Sequence, residues 1–477
     1  MLSDPVGAPP ALRPTPVTPL PLAPRAAAPR PAASDAPRRS VALVCEAASG
    51  GAGKHVLDLA EGLPALGWDV LLVYAPGREG HGFRERVARH AAYGYAVATV
   101  DVGRAPGPRD VVGVWQLRRA IRRFAGGRRV DVLHGHSSKG GALARLARAG
   151  CARRVVYTPH AYYTMSPALG APARRVYAAV ESGLARLTDR TIAVSAPEVE
   201  HGLALGIPSA RIALVENGIA LWSAEEAARR RADARAALGV APGDVVVGYL
   251  GRLAAQKAPD LALAVFHAVT AQRAAERQLG RAGARGEAPG GGRVRCVLAG
   301  DGPDAATVRA MIAGLGLEDA VTWLPAALGA DVIPAFDVFL MTSRYESAPY
   351  TVLEALNAGA IVVTTDVGGV ASCVVDGRTG YLVASPPNVP WGATQVVSAL
   401  AARVVALCNA PDARAAMQAR ARAHAARFAL DDMLRRTAAV YDALEYDVVD
   451  AGAAAGAPVR RTTEPAAPVA RGRREAA

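Results

Sequence analysis

The chain has 477 residues, 51% of them hydrophobic and only 5% aromatic; this length exceeds one domain of roughly 100–200 residues and predicts two. Its 55 Lys and Arg against 42 Asp and Glu leave a net charge of +13, which suits anionic small ligands or an anionic membrane surface; no nucleic-acid motif or interleaved aromatics accompany the arginines, which argues against nucleic acid as a partner. The five cysteines, Cys45, Cys151, Cys296, Cys373 and Cys408, are scattered without CxxC or metal-ligand spacing, a pattern of reduced, buried thiols.

Residues 1–38 are rich in Pro, Ala and Arg without periodicity and are predicted to be disordered. The start lacks the basic and apolar regions of a signal peptide. No stretch approaches the ~20 apolar residues that span a bilayer. The expected location is cytoplasmic, or peripheral on the inner membrane face. Val41–Cys45 is an apolar run ending in a Gly-rich turn, and Val56–Leu66 has helical spacing with Gly67 as its cap. Asp69–Tyr74, Val130–His134, Arg154–Tyr157 and Thr191–Val194 are further short strands. Apolar runs of this kind fit parallel strands covered on both faces. The polar segment 222–244 separates two halves and reads as the hinge region. The order then repeats with strands at Val245–Leu250, Val294–Leu298, Val338–Leu340 and Ile361–Val363. Between the second and first of these, residues 273–293 read as a long insertion after a helix, with a mobile Gly-rich end. Such alternation predicts α/β architecture with two doubly wound, Rossmann-like domains. Their boundaries are set at 39–222 and 223–429, followed by a terminal helix at 430–447 and a disordered tail at 448–477. Ligands of open α/β sheets bind beyond the carboxyl ends of the strands, so two facing sheets place the site in the cleft between them.

Ser49–His55 approaches a P-loop but fails it: Ala48 stands where the first Gly is required and His55 where Ser or Thr would hold magnesium. Gly50 and Gly51 either let a ligand approach the backbone or serve a plain turn. Arg252 and Lys257 follow the strand ending at Leu250. Two cations at a strand end suit a diphosphate, and surface salt bridges are the alternative. Glu346 and Glu354 flank Pro349, which suits the first turn of a helix that Gly359 ends. The positive end of that helix favours an anion. Two acids beside an anion site fit an anion that carries hydroxyls, such as a nucleotide sugar. His134 and His136 share one strand face, which is compatible with metal, but no carboxylate or cysteine completes the set, so no metal is expected. Asn217-Gly218 reads as a turn at the domain border.

The stretch 342–383, TSRYESAPYTVLEALNAGAIVVTTDVGGVASCVVDGRTGYLV, resembles the C-terminal signature of the family 4 retaining glycosyltransferases. The resemblance extends to Gly251-Arg252-Leu253 with Lys257, Gly300-Asp301-Gly302-Pro303, Asp337 before Ser343, and Gly368-Gly369. In the first half it includes Gly50-Gly51, His134-Gly135-His136, Thr158-Pro159-His160, Val194-Ser195 and Asn217-Gly218. It implies the GT-B fold, with the last helix packing back on the first domain. It also implies metal-independent, cofactor-free transfer of a hexose from a nucleoside-diphosphate sugar to a hydroxyl acceptor, with retention. A lipid-linked saccharide of exopolysaccharide or surface-glycan assembly is the expected acceptor. The matching positions give His160, Arg252, Lys257 and Glu346 to the reacting centre. Gly50, Gly51, Arg252, Lys257, Ala348, Pro349, Tyr350 and Glu354 hold the donor, with Glu354 on the ribose diol. Ser347 stands where Gly is frequent, and Ser372 replaces an acid. The rivals are a nucleotide-sugar epimerase or hydrolase on the same fold, and a non-catalytic basic adaptor for membrane or nucleic acid.

Overall fold

The computed structural model describes residues 38–453, apart from residues 81, 104, 279–291, 326 and 386–391. Of the stretches read as disordered at 1–38 and 448–477, residues 1–37 and 454–477 lie outside the described residues, as do residues 279–291 of the insertion. Arg38 is already anchored, donating to the carbonyls of Pro64 and Trp68.

The first sheet has seven parallel strands in the order β3-β2-β1-β4-β5-β6-β7. They are β1 (Arg39–Cys45), β2 (Trp68–Tyr74), β3 (Ala96–Thr99), β4 (Val130–His136), β5 (Ala152–Thr158), β6 (Arg190–Ala193) and β7 (Ile212–Leu214). The second has six, in the order β10-β9-β8-β11-β12-β13. These are β8 (Val245–Leu250), β9 (Val294–Ala299), β10 (Val321–Leu324), β11 (Val338–Met341), β12 (Ile361–Thr365) and β13 (Gly380–Val383).

Alternate residues of one strand feed different cores, because successive side chains leave a strand on opposite faces. Val41, Leu43 and Cys45 enter one cluster, while Ala42 and Val44 enter another. Val245, Val247 and Tyr249 are likewise divided from Val246. Each domain is therefore a helix–sheet–helix sandwich, and a fully buried Val or Leu contributes about 1.5–3 kcal/mol to it.

Several boundaries differ from the sequence reading. The Gly-rich turn is helical: helix Gly50–Gly62 begins at Gly50, so Gly50 and Gly51 form its first turn. The polar segment after Trp222 contains helix Ala224–Ala237, capped by the Ser223 hydroxyl. Arg231 and Arg235 of that helix both reach Asp337, a buried carboxylate at the start of β11. The charges that suggested a hinge instead fasten the segment to the second domain. Pro349 is the N-cap of helix Tyr350–Ala358, one position before the first turn. The helix before the insertion, Pro259–Gln278, incorporates Arg273. The last helix runs Leu430–Ala453, past the boundary expected at 447; the run after Val449 is rich in Ala and meets no proline before Pro458.

That last helix belongs spatially to the first domain. Met433, Leu434, Ala438 and Tyr441 join the core built on β1 and helix Gly50–Gly62. The Tyr441 ring lies 5.2 Å from that of Trp68. Among the described residues, no single helix is long and apolar enough to cross a membrane.

Candidate active site at the border of the two domains

On the second domain, the ends of β8 and β11 carry the charged residues. The Lys257 ammonium lies 2.5 Å from Glu346 Oε1. The Ser343 hydroxyl donates to the same oxygen at 2.6 Å. Ser343 is itself fixed, because its carbonyl accepts the Thr365 hydroxyl at the end of β12. The Glu346 loop is clamped from behind by Gly368-Gly369. Gly368 has φ +55°, and a Cβ there would meet the Glu346 carbonyl oxygen at 1.7 Å. Any larger residue would push the acid out of place. Helix Tyr350–Ala358 follows; no side chain caps its N-terminus, which leaves first-turn amides for another acceptor. Arg252 stands apart: it is exposed and is not joined to the Lys257–Glu346 pair.

On the first domain, β4 and β5 deliver the histidines. Their register sets His136 opposite Thr158, so His160 emerges just beyond His136. The ring nitrogens of His134 are both engaged, with Tyr441 Oη at 2.7 Å and Thr158 Oγ1 at 2.8 Å. His136 Nδ1 instead faces His160 Nε2 at 3.2 Å. The His160 turn is strained, with φ +51° at His160 and +71° at Ala161, a region that non-glycine residues avoid. Glu198 holds it there by accepting the Ala161 N–H. The other oxygen of Glu198 takes the Val194 N–H at 3.0 Å. Burial raises the Glu198 carboxyl above its usual range, opposed by these hydrogen bonds and by the Ser347 hydroxyl.

The two halves meet through these same residues. Ser347, in the second domain, donates to Glu198 of the first. Asn217 Nδ2 donates to the Ala348 carbonyl at 2.9 Å. His55 Nδ1 lies 3.1 Å from both Asn217 Oδ1 and the Tyr350 hydroxyl. The Tyr350 ring packs on Gly51, where an added Cβ would sit 3.4 Å away, and the Lys54 ammonium lies 5.2 Å from its centre. Burial lowers His55 to about 4 and pushes His136 and His160 well below the usual imidazole value, so all three are neutral at pH 7.

Glu346 and Glu354 open onto different cavities. A 340 Å³ cavity is lined by Gly50, Lys54, Asp58, Gly329 and Glu354. Another, of 310 Å³, is lined by Ala161, Tyr162, Arg344, Glu346 and Gly368. The single crevice expected from sequence is thus divided, with Ser347–Tyr350 and its contacts between the parts. Burial raises the Glu354 carboxyl, Lys54 opposes this, and Asp58 adds to it.

Three contributors were not read as site residues. His55 entered only as the residue that breaks a P-loop pattern. Glu198 went unread, although Ser195-Ala196-Pro197-Glu198 has the spacing of a capping box. Asn217 was read as a turn former, while its amide bridges the domains.

Residues 49–222 match the family described as Glycosyltransferase Family 4, and residues 230–424 match Glycosyl transferases group 1. The D-inositol 3-phosphate glycosyltransferase of Streptomyces scabiei is 31% identical over 334 residues, covering 66% of this chain and 69% of that protein. The protein of the same name from Gordonia bronchialis is 31% identical over 309 residues, and the match spans 63% of each chain. Among solved structures, Anabaena Alr3699/HepE in complex with UDP and glucose superposes with a TM-score of 0.64 at 20% identity, covering 85% of this chain and 100% of that one. At such identity the likeness speaks for the fold: two Rossmann-like domains meeting along the border described above.

Proposed function

This chain belongs to the GT-B glycosyltransferases that join a family 4 half to a group 1 half, and on that premise we propose that it moves a hexose from a nucleoside-diphosphate sugar to a hydroxyl acceptor with retention. The observation that carries this reading is the Lys257–Glu346 pair with Ser343, set at the carboxyl ends of β8 and β11. Lys257 neutralises the diphosphate, and Arg252 closes on it from the exposed side of the same loop. Their charge stabilises the leaving group as the glycosidic bond breaks. The amides of Ala348 and Tyr350, at the positive end of the helix, share that load. Glu346 holds sugar hydroxyls, Glu354 holds the ribose diol, and Gly50 and Gly51 let the donor approach the backbone. His160 lies beside the reacting carbon. The bond from the anomeric carbon to the diphosphate breaks, the acceptor oxygen bonds to the same face, and the leaving phosphate oxygen takes the acceptor's proton. We assign no cofactor to this step.

For the acceptor we favour a lipid-linked saccharide of exopolysaccharide or surface-glycan assembly. Helix Arg109–Phe124 supports it. Its outer face exposes Val111, Val112 and Trp115, followed by exposed Arg119, Arg122 and Arg123. Apolar and basic residues on one face suit an anionic membrane surface. A second reading, a phosphorylated inositol acceptor, is favoured by the name of the curated relatives. Incubation with nucleotide sugars, with and without each acceptor class, separates these. Acceptor-dependent product with the donor's anomeric configuration supports transfer with retention. Rapid donor turnover without acceptor supports the hydrolase or epimerase rival.

A further inference from the structure

We propose that His55, His136 and His160 form a binding site for a divalent cation of the zinc class. The three imidazoles come from helix Gly50–Gly62, the end of β4 and the turn after β5. One nitrogen from each can be chosen so that all three lie within 4.8 Å of one another. His136 Nδ1 and His160 Nε2 are 3.2 Å apart. Two nitrogens each about 2.0 Å from a tetrahedral zinc stand about 3.3 Å apart.

The surroundings prepare the set. The Ala348 carbonyl can only accept, so the Asn217 amide nitrogen must point to it and Asn217 Oδ1 must face His55. His55 Nδ1 therefore carries the proton, and Nε2 keeps its lone pair. An outer hydrogen bond that fixes the tautomer is what ligating histidines ordinarily have. His136 turns Nδ1 toward the group, so its ring proton sits on Nε2, a buried atom with no hydrogen-bond partner among the described residues. An all-imidazole set selects zinc, nickel or copper over magnesium and calcium, which demand oxygen. Three protein ligands leave a fourth position open.

Such an ion would occupy the lone pair of His160 and tie helix Gly50–Gly62 to the β4 and β5 ends. Zinc would then inhibit the proposed transfer, magnesium would not, and a chelator would restore it. Binding is measured without any turnover, so failure of this proposal and failure of the transferase reading are distinguishable. The experiment is titration of the tag-free full chain with Zn²⁺ by calorimetry, with Co²⁺ as a spectroscopic probe of tetrahedral nitrogen ligation. We expect one ion per chain, affinity lower by tenfold or more in His136→Ala and in His55→Gln, and by roughly 10–100-fold in the outer variant Asn217→Ala. Circular dichroism confirms that each variant is folded; should His136→Ala unfold, His55→Gln carries the comparison. No stoichiometric zinc binding, or affinity unchanged in the folded His55→Gln chain, overturns the proposal.

Discussion

The Lys257 ammonium sits 2.5 Å from Glu346 Oε1, although the two residues lie 89 positions apart in the chain. Glu346 is almost fully buried and Lys257 partly so, which makes the pair more than an exposed ion contact of small worth. The cation proposed for the diphosphate and the acid proposed for the sugar neutralise one another. Donor entry would exchange one anionic partner of Lys257 for another.

Lys257→Ala removes that cation and leaves Glu346 buried beside Ser343 alone. Stability should fall by about 1–3 kcal/mol, and nucleoside diphosphate affinity by tenfold or more. Denaturant titration and calorimetry measure the two effects. Wild-type affinity in the folded variant would remove Lys257 from the donor site.

Arg252→Ala isolates the exposed cation. With no partner to lose among the described residues, its stability should be unchanged, while turnover drops by roughly two decades if the residue stabilises developing charge. Steady-state rates of the purified variant decide this. A normal kcat would assign Arg252 to the solvated surface.

Glu354→Gln keeps the shape of the side chain and removes its charge. The ribose diol then loses a charge-assisted acceptor. Nucleoside diphosphate binding should weaken with little change in folding, and unchanged affinity by calorimetry contradicts the role.

The histidine group predicts a pH dependence. Folding holds these imidazoles neutral, so below pH ~6.5 the unfolded chain binds more protons than the folded one. Their contribution is complete above that value and is lost as pH falls, for His55 down to about 4. The melting temperature should decline across this window, and less steeply in His55→Gln. Identical slopes would show that these rings do not titrate on unfolding.

The outer face of helix Arg109–Phe124 predicts salt-sensitive attachment to anionic vesicles. Trp115→Glu and a triple Arg119, Arg122, Arg123→Glu change should each reduce sedimentation with phosphatidylglycerol vesicles several-fold, while leaving transfer to a soluble acceptor intact. Equal sedimentation of all forms refutes the membrane face.

Much of the fold is legible in the amino-acid order. The apolar runs read as strands all occur in the two sheets, because a strand covered on both faces needs unbroken Val, Ile and Leu. The unread strands are β3, β7, β10 and β13, the outer strand at each edge of each sheet. They are three or four residues long and mostly half-exposed, so neither length nor pattern separates them from loops. The site was legible where local geometry makes it. Glu346, Pro349, Tyr350 and Glu354 belong to one loop and helix, and Gly359 takes the left-handed φ of 78° that ends it. It was not legible where the pairing is long-range. His55 reaches Tyr350 across 295 positions, and Glu198 reaches Ser347 across 149. Only the register of two sheets and their meeting bring such residues together. Spacing also suggested that Arg252 and Lys257 act side by side, but only Lys257 turns inward to the end of β11.

A thermal-shift comparison of wild type and Lys257→Ala against a panel of nucleoside diphosphates tests the donor site most directly. A ligand that binds only the folded chain raises the melting temperature by mass action, by about 2.7 kcal/mol of stabilisation at a hundredfold excess over Kd. At least one nucleoside diphosphate should stabilise the wild type, and its effect should shrink sharply in the variant. Absence of any shift across the panel, or an equal shift in both proteins, would contradict a diphosphate held at Lys257.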